Sequence, residues 1–196
     1  MDNPTVNSVY SSFISFVSLL ALLGATLFTS TTLSSEFEER TALVLFTKPI
    51  KKSSIFLGKI LIAFALNVAI FAIYYIVTTL VGLIITHDIS IDLLASFGYL
   101  VTYIFTLTGI AVMFSSLMKK SSSASILTFV FVLLVPSLIL AVIMLAQDNM
   151  NVNDYWYFLN SAAASITYSV TGDVVNGPRD VATMFVWGLI PMIIAY

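Results

Sequence analysis

The chain is built from long apolar runs that carry almost no charge: about 9–33, 55–86, 96–118, 124–146 and, shorter, 181–196. None contains an acidic residue, and Lys59, near the start of the second, is the one basic residue inside any of them. About 20 such residues in a helix cross the hydrocarbon core of a bilayer. The runs are continuous rather than alternating, which argues against the strands of a transmembrane barrel. Charged residues make up 9% of the chain, against roughly 25% in a soluble domain, too few to build a water-facing surface. The expected fold is an all-α polytopic membrane protein, a single transmembrane domain over 1–196 with five visible spans, the last one partial. Zero cysteines leave no disulfide framework and no thiolate metal site.

The first run does not read as a signal peptide, because MDNPTVNSVY carries Asp2 and no basic side chain. Gly24, Ala25, Ser30 and Thr31 towards its end are small enough to permit close helix contact in lipid. The second run is long enough to span with tilt or to protrude. Asn67 is the one strongly polar side chain deep inside it. It is a possible intramembrane polar site, hydrogen-bonding to a neighbouring helix or facing a cavity. Pro136, near the middle of the fourth run, is expected to kink that helix. Tyr155-Trp156-Tyr157-Phe158 has the composition of an interfacial aromatic belt, and Ser161 to Val170 reads as a short helix on the membrane surface. The last run ends at Tyr196 and reaches only ~24 Å, so the chain is expected to continue beyond it.

Between the first two runs lies EFEERTALVLFTKPIKKSSIFLGK, Glu36 to Lys59, which holds all three glutamates of the protein. Ser35 and Glu38 fit a capping box, and acids near a first turn suit the positive end of a helix dipole. Phe37, Thr41, Val44 and Leu45 share one helical face, with Glu36, Glu39, Arg40 and Thr47 largely elsewhere. The spacing predicts a short amphipathic helix in the interface over 36–46, ended by Pro49. Ser53 or Ser54 is expected to cap the next helix.

Arg40, Lys48, Lys51, Lys52, Lys59, Lys119 and Lys120 are seven of the eight Lys and Arg residues. Helix alternation puts all seven at one face, which the positive-inside rule makes cytoplasmic. The loop 34–54 is therefore expected in the cytoplasm. The segments 87–95 and 147–180, with Asp88, Asp92, Asp148, Asp154, Asp173 and Asp180, are expected outside.

Nothing in the pattern supports catalysis by this chain. There is no HExxH, and Gly58-Lys59 lacks the earlier glycine and following Ser or Thr of a phosphate loop. No catalytic residue and no metal ligand set is assigned; His87 beside Asp88 and Asp92 carries little weight as either. The spans hold no carboxylate, which disfavours an ion-coupled pump. Energy for uphill movement has to come from another subunit.

The central stretch resembles the cytoplasmic loop of ABC-2 type ABC transporter permeases. Glu36, Thr41, Leu43, Leu45, Pro49-Ile50, Lys52 and Gly58-Lys59 stand at compatible spacing, with Arg40 where glycine is usual. The resemblance implies six spans per subunit, so a first span is expected before residue 1. It implies a second permease subunit, identical or not, in the lipid bilayer of the cell membrane. It also implies separate ABC ATPase subunits, which bind the ATP and Mg; this chain needs no cofactor and no nucleic acid. The loop helix is then a coupling helix seated in the ATPase. The residues expected to couple are Glu36, Glu38, Glu39, Arg40, Thr41, Pro49, Lys52, Gly58 and Lys59, with Pro49 fixing the elbow and Gly58 allowing close helix approach. The expected function is ATP-driven translocation, in the export direction. The competing readings are a non-transporting membrane scaffold, a membrane-embedded enzyme and a channel, and a channel lacks any repeated pore-lining charge. Replacing Glu39 or Arg40 with alanine is expected to uncouple ATP hydrolysis from transport with insertion intact. Transport and ATPase stimulation measured on both variants check this; unchanged values argue against the lever.

Overall fold

Backbone N–H and C=O groups crossing a bilayer find no water, so each crossing has to close its hydrogen bonds internally. The computed structural model, which describes residues 6–29, 52–118, 120–146, 159–172 and 176–195, does this with helices, and no strand occurs among the described residues. Five helical stretches are long and apolar enough to cross a membrane: Asn7–Thr29, Ser54–Thr86, Asp92–Leu117, Ser121–Ile143 and Gly177–Ala195. The all-helical, polytopic expectation holds.

The first crossing is not one regular helix. It runs as α1 (Val6–Ile14), α2 (Val17–Gly24) and a π-helical turn over Ala25–Thr29. Serine hydroxyls cluster ahead of the interruption between α1 and α2. Ser11 and Ser12 both donate to the Ser8 carbonyl, and Ser15 donates to the Ser12 carbonyl. Hydroxyls bonded back to the preceding turn compete with the helical ladder and bend it.

α3 (Lys52–Thr86) has 35 residues, about 52 Å at 1.5 Å per residue, longer than the hydrocarbon core. It starts ahead of Ser53, so neither Ser53 nor Ser54 is its N-cap. A short link with His87 in the left-handed region (φ 56) turns the chain into α4 (Asp92–Leu117). Asp92 lies in the first turn of α4, where its charge suits the dipole, and it accepts from Ser90 Oγ at 3.2 Å. α5 (Ser121–Ala146) carries Pro136 inside one unbroken helix. α6 (Leu159–Thr171) and α7 (Gly177–Ala195) complete the described chain. Pro178 falls in the first turn of α7, where its missing N–H costs nothing.

α4 is the central helix. Leu100, Ile104, Leu107, Ile110 and Val112 are fully buried, and α7, α6, α3 and α5 all pack on it. Outward side chains of α3 and α5, such as Ile62, Ile84, Leu138 and Val142, are exposed, as lipid-facing residues should be. α6 is the short helix read over Ser161 to Val170, and Leu159, Ala162, Ile166 and Val170 are buried against α4, α7 and α1. The reason is polar. Ser96 Oγ of α4 donates to the Ile166 carbonyl at 2.6 Å, and Tyr75 of α3 in turn donates to Ser96 at 2.8 Å. Ser165 donates to the buried Asp180 of α7 at 2.5 Å.

The α4–α7 contact is closest at two glycines. A Cβ on Gly109 would stand 2.1 Å from the Gly188 carbonyl oxygen. Thr106 Oγ1 donates to the Met184 carbonyl at 2.7 Å on the same seam. Gly98 has nothing within 4 Å of its would-be Cβ. Gly109→Ala is therefore expected to cost about 1–3 kcal/mol through overpacking. Gly98→Ala should be neutral or slightly stabilising through helix propensity. Thermal unfolding of the two variants in the same detergent checks the contrast.

Candidate functional site

The helix expected over 36–46, with Glu36, Glu38, Glu39, Arg40, Thr41 and Pro49, lies outside the described residues. Its two anchors are described. The π turn ends at Thr29 on one side, and α3 begins at Lys52 on the other. Lys59 and Lys120 share this end of the bundle with them, while Asp88, Asp92 and Asp180 lie at the opposite end, because α3, α4 and α5 alternate in direction through short links.

Of the residues expected to couple, Lys52 opens α3, and Gly58 and Lys59 both fall in its second turn. Gly58 has no atom within 4 Å of its would-be Cβ, so any neighbour it admits lies outside the described residues. Lys59 is half-buried. With Phe28, Ile62, Ala63 and Leu66 it lines a cavity of about 200 Å³, its aliphatic stem forming part of an apolar wall.

Asn67 sits eight residues further along α3, roughly 12 Å deeper, and is 1% exposed. Its Nδ2 donates to the Ala63 carbonyl at 3.0 Å and to Thr29 Oγ1 at 3.3 Å. Of the two roles expected for Asn67, a hydrogen bond to a neighbouring helix or a place facing a cavity, the contact with the last residue of the π turn is of the first kind. The Asn67 Oδ1 is buried with no hydrogen-bond partner. It points at Gly24, where a Cβ would come within 2.7 Å of it. Glycine is required here by close approach, which accounts for one of the small residues at the end of the first run. A third helix joins the node: Ser125 Oγ of α5 donates to the Thr26 carbonyl inside the π turn at 3.0 Å. Thr29, Thr26 and Ser125 were not singled out from sequence. Hydroxyl residues in apolar runs are common, and nothing local marks those that meet across helices.

Among the described residues no group of three or more His, Cys, Asp or Glu is placed to hold a metal. At the acid-bearing end, an open apolar groove of about 480 Å³ runs between α3 and α4, with Tyr75, Ile76, Leu80, Leu94 and Phe97 among its walls.

The sequence that builds this transmembrane bundle matches a known family pattern. The family described as ABC-2 family transporter protein matches residues 1–177. The chain belongs to the ABC-2 transporter family. No curated protein matches the sequence. ABC-2 membrane subunits are not catalytic, and the ATPase is a separate subunit, so the absent phosphate loop and the polar poverty of this bundle suit the family's division of labour. Membership also implies an ATPase partner for this ABC-2 chain.

Gly24→Ala is expected to displace the Asn67 side chain and to destabilise the bundle by about 1–3 kcal/mol. Asn67→Ala in the same chain should recover much of that loss, because the two residues contact directly. A double-mutant cycle on thermal stability in detergent measures the coupling.

Proposed function

We propose that this chain is the permease subunit of an ABC exporter in the cell membrane, with the loop 34–54 on the cytoplasmic face. ATP, with its Mg, binds at separate ATPase subunits. The segment 36–46 receives their movement, and a path between two such permeases, identical or not, changes access. Glu36, Glu38, Glu39, Arg40, Thr41, Lys52 and Lys59 contribute polar contacts near the ATPase; Pro49 and Gly58 set the chain path.

The observation that carries this reading is the placing of the loop's anchors. The π turn meets α3 through Thr29 and Asn67, roughly 22 Å along α3 from Lys52. A force on the loop therefore enters two crossings that are already joined. The charge order supports the same direction: Lys59 and Lys120 at the end where α3 begins, Asp88, Asp92 and Asp180 at the other.

The chain has no cysteine, so single cysteines report topology directly. Glu39→Cys should react with an impermeant maleimide in inside-out vesicles and be shielded when the ATPase is co-expressed. Asp88→Cys should react in right-side-out cells. The permease should co-purify with an ABC ATPase and support ATP-dependent uptake into inside-out vesicles. Labelling of Glu39→Cys from outside the cell, or no association with any ATPase, would sink the reading.

A further inference from the structure

The π turn at Ala25–Thr29 is the least ordinary backbone in the described chain. π geometry is rare, and short π turns inside α-helices concentrate at functional positions and hinges. Such a turn holds one residue more than the α-helix needs, so it can release that residue by tightening.

From this we infer that the π turn and Asn67 form a two-position latch between the first crossing and α3. This rests on the coupling-loop reading above and gives that loop its mechanical target. In the position described, Thr29 faces Asn67 and accepts its Nδ2 hydrogen bond. In the other, the turn tightens to α geometry. The face then shifts by one residue, roughly 100° of rotation, and Phe28 takes the place of Thr29.

Three independent features fit two positions better than one. First, Phe28 is 42% exposed and already borders the cavity of about 200 Å³ formed with Lys59, Ile62, Ala63 and Leu66 of α3. That cavity shares Ala63 with the Asn67 node, since the Ala63 carbonyl accepts from Asn67 Nδ2. Second, Asn67 Oδ1 is buried without a partner. An amide satisfied at both ends would lock the Thr29 position; one left half-satisfied holds it weakly, and the described position stays within reach of a rival. Third, Gly24 presents no side chain to Asn67, so the amide can turn as the backbone beside it rewinds. Ser125 on the Thr26 carbonyl ties the same turn to α5, which carries the change to a third helix. Asn67 acts here as a positioning residue: it touches no substrate and selects the winding of the helix that leads into the loop.

The cysteine-free chain allows a direct test in the assembled permease–ATPase complex. Two pairs are compared, Thr29→Cys with Ala63→Cys and Phe28→Cys with Ala63→Cys, in nucleotide-free and ATP-trapped complexes. The ratio of the two disulfide yields should change at least fivefold between states, one pair rising as the other falls. An unchanged ratio overturns the latch. In the permease alone, Asn67→Leu should raise the disulfide yield of the Phe28→Cys with Ala63→Cys pair, which keeps Thr29, about threefold, the equivalent of ~0.6 kcal/mol for an interhelical hydrogen bond in a membrane. A yield blind to Asn67→Leu also overturns the latch. The two readings fail separately. Full coupling in the Glu39 and Arg40 alanine variants removes the loop's role, whereas uncoupling there with a fixed cross-link ratio removes only the latch.

Discussion

Helices in lipid gain nothing from hiding apolar surface from one another, because the lipid tails are as apolar as their neighbours. What assembles this bundle is backbone proximity, together with hydroxyls that reach carbonyls on the next helix. α4 collects both. Ser96 donates to the Ile166 carbonyl and Thr106 to the Met184 carbonyl, while Gly109 lets α7 come to backbone contact. Each such bond is modest, averaging about 0.6 kcal/mol, but their placing decides which helix is central. The order of the others around α4, including the burial of α6, follows from these contacts.

The five crossings were legible because a span needs length and apolarity, and both are written in consecutive residues. Ends were less so. α4 begins at Asp92 and α7 at Gly177, ahead of the apolar runs at 96 and 181, since Asp92, Pro178 and Asp180 all suit a first turn. Asn67 stood out as polar, but its partner did not. Thr29 lies 38 residues away, in a run where threonine is unremarkable. The π turn had no visible signal, because ATLFT reads as ordinary helix. α6 was visible as a helix, but its packing was not, because that depends on Ser96 and Asp180, which lie on other elements. The resemblance of the loop to ABC-2 permeases pointed to the family that residues 1–177 match.

The polarity of the bundle interior also bears on how a permease without its own energy source works. Buried carboxylates or a chain of titratable groups would let a crossing respond to protons. Among the described residues, the buried polar groups along the crossings are hydroxyls, one amide and one carboxylate, Asp180, which is held by Ser165 in the first turn of α7. Hydroxyls and an amide exchange hydrogen-bond partners at little electrostatic expense, so a mechanical input can rearrange them.

The glycine crossing of α4 and α7 has a mechanical corollary. Two backbones in van der Waals contact have no side-chain cushion between them, and sliding one past the other drives Gly188 into Phe105 and Thr106. With α6 bonded to both, these three helices behave as a stator. Strain entering the bundle is then taken up at its periphery, where the irregular first crossing and the sparsely buried α5 supply the give.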